Sequence, residues 1–282
     1  MHLLTILLIV ILAALCGAKI IGKEQHLKKY EEMQTAASTE APQETETEPL
    51  TEETAPVVTD PDALREIDFD SLKARNPDVV GWIYIPGTVI DYPVLWREED
   101  NDFYLHHDID GKDSYDGVFL DGSDRPDFSR LQNLFYGHHM KNGTMFTDIC
   151  RFKDQAFFEA NRRAYLYTPD HTYILRTMAC LYTDAGAEKR LMDFSDRMEF
   201  DAYVDQMTKD CVFREIPEGE IDRLFSFVTC SYEFDNARTI LYCYETDAEG
   251  NPVEPSETVD GAENKDSGDE AGGAEAGDNP AE

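Results

Sequence analysis

The sequence has no C-x-x-C pair, no stripe of clustered Lys and Arg, and no repeat at a fixed period. The first absence removes the close ligand spacing of a structural zinc site. The second, with 25 basic against 58 acidic residues and a formal net charge of -33, leaves no electrostatic footprint for nucleic acid or anionic lipid. The third excludes solenoids and propellers. Large apolar residues are scarce in two segments. Residues 35–60, "TAASTEAPQETETEPLTEETAPVVTD", and the acidic, Gly- and Ala-rich stretch from Asp247 to the end cannot bury enough surface to offset the entropy of ordering. Residues 23–60 therefore read as a flexible stalk and residues 247–282 as an acidic disordered tail, with one folded domain over 61–246 between them.

What is present begins with an uncharged apolar run, "LLTILLIVILAALCGA" at residues 3–18. Extended through Ile20 and Ile21, it is just long enough to cross a bilayer as a helix. It lacks the basic start and small-x-small exit of a cleaved signal peptide, so residues 1–22 read as an uncleaved membrane anchor. Leu15 before Cys16 also argues against lipidation. Lys19, Lys23, Lys28 and Lys29 follow the run, which taken alone would keep the C-terminal side in the cytoplasm. The stalk and the domain behind it read instead as extracellular.

The middle of the chain is a series of short β-like runs at 80–85, 89–95, 117–120, 133–136, 164–167, 173–182, 224–229 and 239–244, separated by turn residues. Eight such runs predict a mostly β barrel or sandwich. Helical patterns interrupt them at 61–73, 145–160 and 197–209. In the last, Phe200, Val204 and Met207 recur on one face and predict packing against the barrel. The loop "YLHHDIDGKD" carries Asp108, Asp110 and Asp113, with Asp116 close behind. An EF-hand reading fails because Lys112 takes a ligand position and Gly111 comes too early.

The chemistry centres on "SFVTCSYEFDNARTILY", residues 226–242. A cysteine that ends an apolar strand is by default a small hydrophobe in the core. Here, though, a hairpin from 228–230 to 238–240 would set the Cys230 thiol and the Arg238 guanidinium at one rim, because neighbouring strands lie about 4.8 Å apart. A fixed positive charge there favours thiolate and can hold an oxyanion. A cysteine nucleophile also needs a histidine close in space. His138 is the best placed, following "NLFYG" where a buried strand gives way at Gly137, with His139 assigned to solvent or to a supporting contact. His106 and His107 fall in the polar loop.

The order of "YGHHM", then "FVTC" about ninety residues later, then an arginine eight positions past the cysteine resembles the sortases, cysteine transpeptidases of Gram-positive cell surfaces. Within residues 69–244, "GWIYIPGTVIDYPVL", "NDFYLHHD" and "YGHHMKNGTMF" are most similar to class B members. Two positions depart from that pattern: His139 stands where Asn is common, and Val228 where Ser is common. The resemblance implies an eight-stranded sortase-type β-barrel with an N-terminal helix and a helix in the loop before the penultimate strand. It implies no cofactor and no metal. It places the nucleophile on Cys230, the acid/base on His138 and the oxyanion-holding arginine on Arg238, with Asn101, Tyr136 and Thr229 lining a substrate groove.

The partners so implied are secreted proteins carrying a C-terminal sorting signal, an amine of a peptidoglycan precursor, and the membrane through the N-terminal helix. The alternatives are a pilin-polymerising sortase, an L,D-transpeptidase-like cell-wall enzyme, which would be expected to carry a His-Gly-Cys-Arg-like core, and a catalytically silent binding module.

Overall fold

The computed structural model describes residues 28–35, 38–39 and 65–255. The segments read as membrane anchor, most of the stalk and most of the acidic tail lie outside the described residues. Among the described residues no helix is long and apolar enough to cross a membrane.

Residues 28–35 form a helix, α1. Helix α2 spans Phe69–Arg75. Strands β1 (Val79–Tyr84), β2 (Asp91–Leu95), β3 (Val118–Leu120) and β4 (Gln132–Gly137) follow. After α3 (Gln155–Ala160) come β5 (Arg163–Tyr167) and β6 (Thr172–Asp184). Helix α4 (Arg197–Thr208) precedes β7 (Leu224–Cys230) and β8 (Ala237–Thr246). The strands pair in the order β8-β7-β4-β3-β2-β1-β5-β6, and β6 pairs back onto β8 to close an eight-stranded barrel. Two of these pairings, β2 with β3 and β4 with β7, are parallel. A two-residue strand, Phe213–Arg214, adds to β6.

Two apolar layers explain why β7 and β8 read as nearly continuous hydrophobic runs. Phe225, Phe227, Leu241 and Cys243 point into the barrel core, while Leu224, Val228, Ile240, Tyr242 and Tyr244 belong to a second cluster on its outer face. Strands covered on both faces need no polar alternation. The second cluster is completed by α4, whose Phe200, Tyr203, Val204 and Met207 pack on the barrel as their spacing predicts. Asp196 caps α4 by accepting from the Glu199 N–H, and Glu199 reaches back to Ser195.

Four stretches differ from the sequence expectation. Segment 145–160 is not one α-helix. A 3-10 run, Phe146–Lys153, gives way at Asp154, whose extended backbone and side-chain bond to the Phe157 N–H start α3 afresh. In segment 61–73 the described part begins with a short strand, Glu66–Ile67, paired with Ser38–Thr39, and the helix starts only after the Asp68 cap.

Part of the stretch read as flexible stalk is folded. Helix α1 buries Tyr30 and Met33 against the barrel, Tyr30 meets Tyr92 edge-on at 5.0 Å, and the Tyr30 hydroxyl donates to the Asp116 carbonyl at 2.7 Å. Its Lys29 lies 2.7 Å from Asp108 and 3.1 Å from Asp110, which also takes the Arg75 fork. These cations, Arg75 foremost, hold the Asp110 carboxyl well below the usual range. The carboxylates that invite a calcium reading thus fasten two helices to the barrel. The folded unit extends at its other end too, since Val253 N–H donates to the Glu245 carbonyl at 3.1 Å.

The β3–β4 connection is pinned by Asp124, which accepts from the Leu134 N–H at 2.9 Å and the Arg125 N–H at 2.8 Å. Burial pushes its carboxyl up to about 7. An acid whose folded value exceeds its unfolded one stabilises the fold at low pH and loses that contribution as pH rises from about 4 to about 7. The loss should be about 2–4 kcal/mol. Thermal unfolding at pH 4.5 and pH 8 checks this: the drop in Tm across that window should shrink in Asp124→Asn, and an unchanged drop would contradict it.

Candidate active site

The barrel closure decides what meets at its rim. Strands β4 and β7 run parallel, with Val228 opposite Tyr136, so both end at the same edge and His138 and Cys230 follow one another out of it. Strand β8 runs antiparallel to β7 with Cys230 opposite Arg238, so its first residues start at that edge. The three side chains expected to carry chemistry line one groove of about 240 Å³, together with Asn101, Tyr136 and Thr229. All six residues named from the sequence are therefore brought together.

Each is held differently. Cys230 is half-buried, and among the described residues its thiol makes no hydrogen bond. Its main-chain carbonyl lies 3.1 Å from His139 Nδ1, which also stands 3.4 Å from Cys150 Sγ. The His139 ring packs against Tyr232 at 5.0 Å. His139 thus supports the main chain at Cys230. His138 Nε2 lies 2.7 Å from the Leu105 carbonyl, and Tyr115 meets its ring edge-on at 5.1 Å. Arg238 donates to the Ala237 carbonyl at 3.0 Å and faces no carboxylate partner among the described residues. The other groove cations are answered: Lys189 pairs with Asp184 and Arg190 with Asp121.

Gly137 is needed before His138 for packing, not for backbone freedom. A Cβ there would meet the Phe146 ring at 2.5 Å, so only glycine lets that ring seal the barrel end beneath the histidine. The Thr229 hydroxyl proton is committed, since its Oγ1 donates to the Gly137 carbonyl at 2.7 Å, which leaves only its acceptor lone pairs for a substrate. That bond ties the residue before Cys230 to the residue before His138. Asn101 accepts from the Gly122 N–H at 2.7 Å.

On the groove wall, the Tyr136 hydroxyl donates to Asp121 at 2.9 Å, and Arg190 lies 2.8 Å from the same carboxylate oxygen. Burial works against ionisation of Asp121, but the bonds from Arg190, the Ser123 N–H and Tyr136 hold its carboxyl below the ordinary value. The sequence did not point to Arg190, Tyr115 or Cys150 near the site, and it marked Leu105 only as the end of the motif "NDFYL". Their partners are 11 to 89 residues away in the chain.

The five described cysteines are all free thiols. Cys180 and Cys243 are buried in the barrel, and burial pushes the Cys211 thiol up to about 12 and that of Cys150 above its ordinary value. Raised values make thiols inert at neutral pH. Among the described residues no group of three or more His, Cys, Asp or Glu is arranged to hold a metal ion.

A closed barrel brings a cysteine, a histidine and an arginine without a carboxylate partner among the described residues to one rim groove, a set able to support nucleophilic thiol chemistry. No family model matches the sequence. Sortase B of Listeria monocytogenes is 29% identical over 170 residues, covering 60% of this chain and 69% of that protein. The crystal structure of Clostridium perfringens sortase B superposes with a TM-score of 0.60 at 31% identity, covering 64% of this chain and all of that one. Sortase B from the type II pilus of Streptococcus pneumoniae gives 0.55 at 29% identity, covering 64% and 98%. The chain belongs to the sortase family, in its class B branch, and is a sortase-type cysteine transpeptidase.

Thr229→Val removes the hydroxyl that joins the ends of β4 and β7 and leaves the Gly137 carbonyl unpaired, at a cost of about 1–3 kcal/mol. A drop in Tm should accompany a fall in kcat, with Thr229→Ser restoring both. Wild-type kcat in Thr229→Val would show that the tie does not position the site.

Proposed function

We propose that this protein cleaves a C-terminal sorting signal at a threonine and joins the upstream protein to an amine of a cell-wall precursor. The observation that carries the reading is the convergence of Cys230, His138 and Arg238 on one groove. Cys230 Sγ attacks the threonine carbonyl, and Arg238, with no acidic partner among the described residues to neutralise it, donates to the oxyanion as it forms. His138 protonates the departing amine, and a thioacyl-enzyme remains. An incoming amine gives its proton to His138, attacks the thioester and releases the thiol. No cofactor enters these steps.

The apolar run at residues 1–22 would tether the domain to the membrane with the groove outside the cell, and residues between that run and α1 would set its reach. Asn101 and Tyr136 would line the path of an extended peptide with Pro two residues before the scissile Thr. Proline fixes its own φ and biases its predecessor to extended backbone, so such a peptide loses less entropy on docking. An Asn-Pro-x-Thr or Ser/Pro-Pro-x-Thr motif is favoured over Leu-Pro-x-Thr-Gly. The likeness to a sortase B from a pilus favours a second reading, in which the acceptor amine belongs to a pilin subunit.

Fluorogenic peptides of these motifs, assayed with each variant, test the proposal. Cys230→Ala should abolish cleavage, while Ala at Cys150, Cys180, Cys211 and Cys243 should leave it measurable. His138→Ala should lose about 10²–10⁴-fold in kcat/KM and His139→Ala much less. Arg238→Lys keeps the charge but loses the planar fork, and should lose much of the rate. Cleavage surviving in Cys230→Ala would end the mechanism. A clear preference for Leu-Pro-x-Thr-Gly would overturn the motif assignment alone.

A further inference from the structure

His138 is gripped from behind by main chain. Its Nε2 lies 2.7 Å from the Leu105 carbonyl oxygen, and no carboxylate takes that place among the described residues. A carbonyl oxygen carries lone pairs and no proton, so this bond exists only when Nε2 bears the hydrogen. We propose that the Leu105 carbonyl fixes His138 as the Nε2–H tautomer, which makes Nδ1 the nitrogen that takes up and returns the proton in both half-reactions. Leu105 is thus a positioning residue acting through its backbone, and the inference rests on the reading of His138 as acid/base.

The turn that presents this carbonyl is rigid. Leu105 ends a 3-10 turn, Phe103–Leu105, whose Tyr104 is buried with its hydroxyl donating to Asp78 at 2.6 Å and accepting from Asn76 at 2.9 Å. Phe103 is stacked between the Arg97 guanidinium at 3.8 Å and the His107 ring at 4.0 Å. Tyr115, 55% exposed, closes a second side of the His138 ring edge-on. With the Nε2 side spent on main chain, the other nitrogen is left for the groove that His138 lines with Cys230.

The proton inventory closes. As Sγ bonds to the carbonyl carbon, the thiol proton passes to Nδ1, and the same proton leaves with the amine when the C–N bond breaks. In the second half the incoming amine yields a proton to Nδ1 as its nitrogen bonds to that carbon. That proton returns to Sγ when the C–S bond breaks. The Nε2 hydrogen stays on Leu105 throughout. A second partner that fixes the tautomer and steadies the imidazolium is the general requirement for a histidine acid/base.

The full chain, labelled with 15N at histidine, reports the tautomer directly, and the signals missing from His138→Gln assign the ring. The neutral ring should show a protonated Nε2 and a bare Nδ1, with the proton gained on acidification appearing at Nδ1. A neutral ring protonated at Nδ1, or an even mixture, would overturn the inference. Because the readout is a tautomer and not a rate, it fails separately from the cleavage assays. Gly117→Ala gives a second measurement, since a Cβ there would meet the Tyr104 carbonyl at 2.1 Å and the His107 carbonyl at 2.9 Å, forcing the turn to move. The folded variant should show Nδ1–H tautomer in its neutral ring and a kcat reduced about 10–100-fold, with KM for the peptide within about twofold. An unaltered tautomer together with wild-type kcat in that variant would contradict the role given to Leu105.

Discussion

The parallel pairing of β4 with β7 is the constraint on which the site depends. In an antiparallel pair the end of one strand lies beside the start of the other, so a residue just past β4 and the last residue of β7 would sit at opposite rims. Parallel register, with Val228 beside Tyr136, sends both strands out of the barrel at the same edge. The short loop 231–236 from β7 into antiparallel β8 then returns Arg238 to Cys230. A parallel pair needs a long connection, and here α3, β5, β6 and α4 all lie between β4 and β7. The rest of the fold is in part the route the chain takes to make that one pairing possible.

The packing around this edge keeps its members at fixed separation. The Phe146 ring fills the space where any side chain on Gly137 would stand, and the Phe146 N–H donates to the His138 carbonyl at 3.0 Å. The Thr229 hydroxyl bridges the strand ends, and His139 braces the Cys230 carbonyl. Interiors packed at crystal-like density transmit small displacements, so errors in this shell reach the reacting groups. The Tyr136, Asp121 and Arg190 contacts stiffen the opposite wall of the groove. Only Arg238 among the groove cations is left without a carboxylate among the described residues, which suits a group whose charge is to be used.

Much of this was legible in the sequence because the strands obey simple rules. Every run expected to be a strand is one, including β7 and β8, whose both-face burial shows as unbroken apolar sequence. The hairpin opposing Cys230 to Arg238 follows from the two apolar runs on either side of one polar connection. The helices at 145–160 and 61–73 were less legible, because Asp154 and Asp68 serve as caps and also fit a helical pattern. Residues 28–35 resemble a polar linker, yet two side chains, Tyr30 and Met33, are enough to dock them when Lys29 meets Asp108. The grip on His138 had no signal at all. A backbone carbonyl has the same identity at every residue, and Leu105 meets His138 only through the barrel's closure.

The central claim is that Cys230 forms a covalent thioacyl bond to the sorting signal at the rim where β4 and β7 end. Mass spectrometry of the chain after brief reaction with a sorting peptide, without acceptor amine, tests it most directly. The account predicts an adduct of the fragment upstream of the scissile bond, located on Cys230 and released on adding an amine. An adduct on Cys150, or cleavage with no acyl-enzyme even after rapid acid quenching, would contradict it.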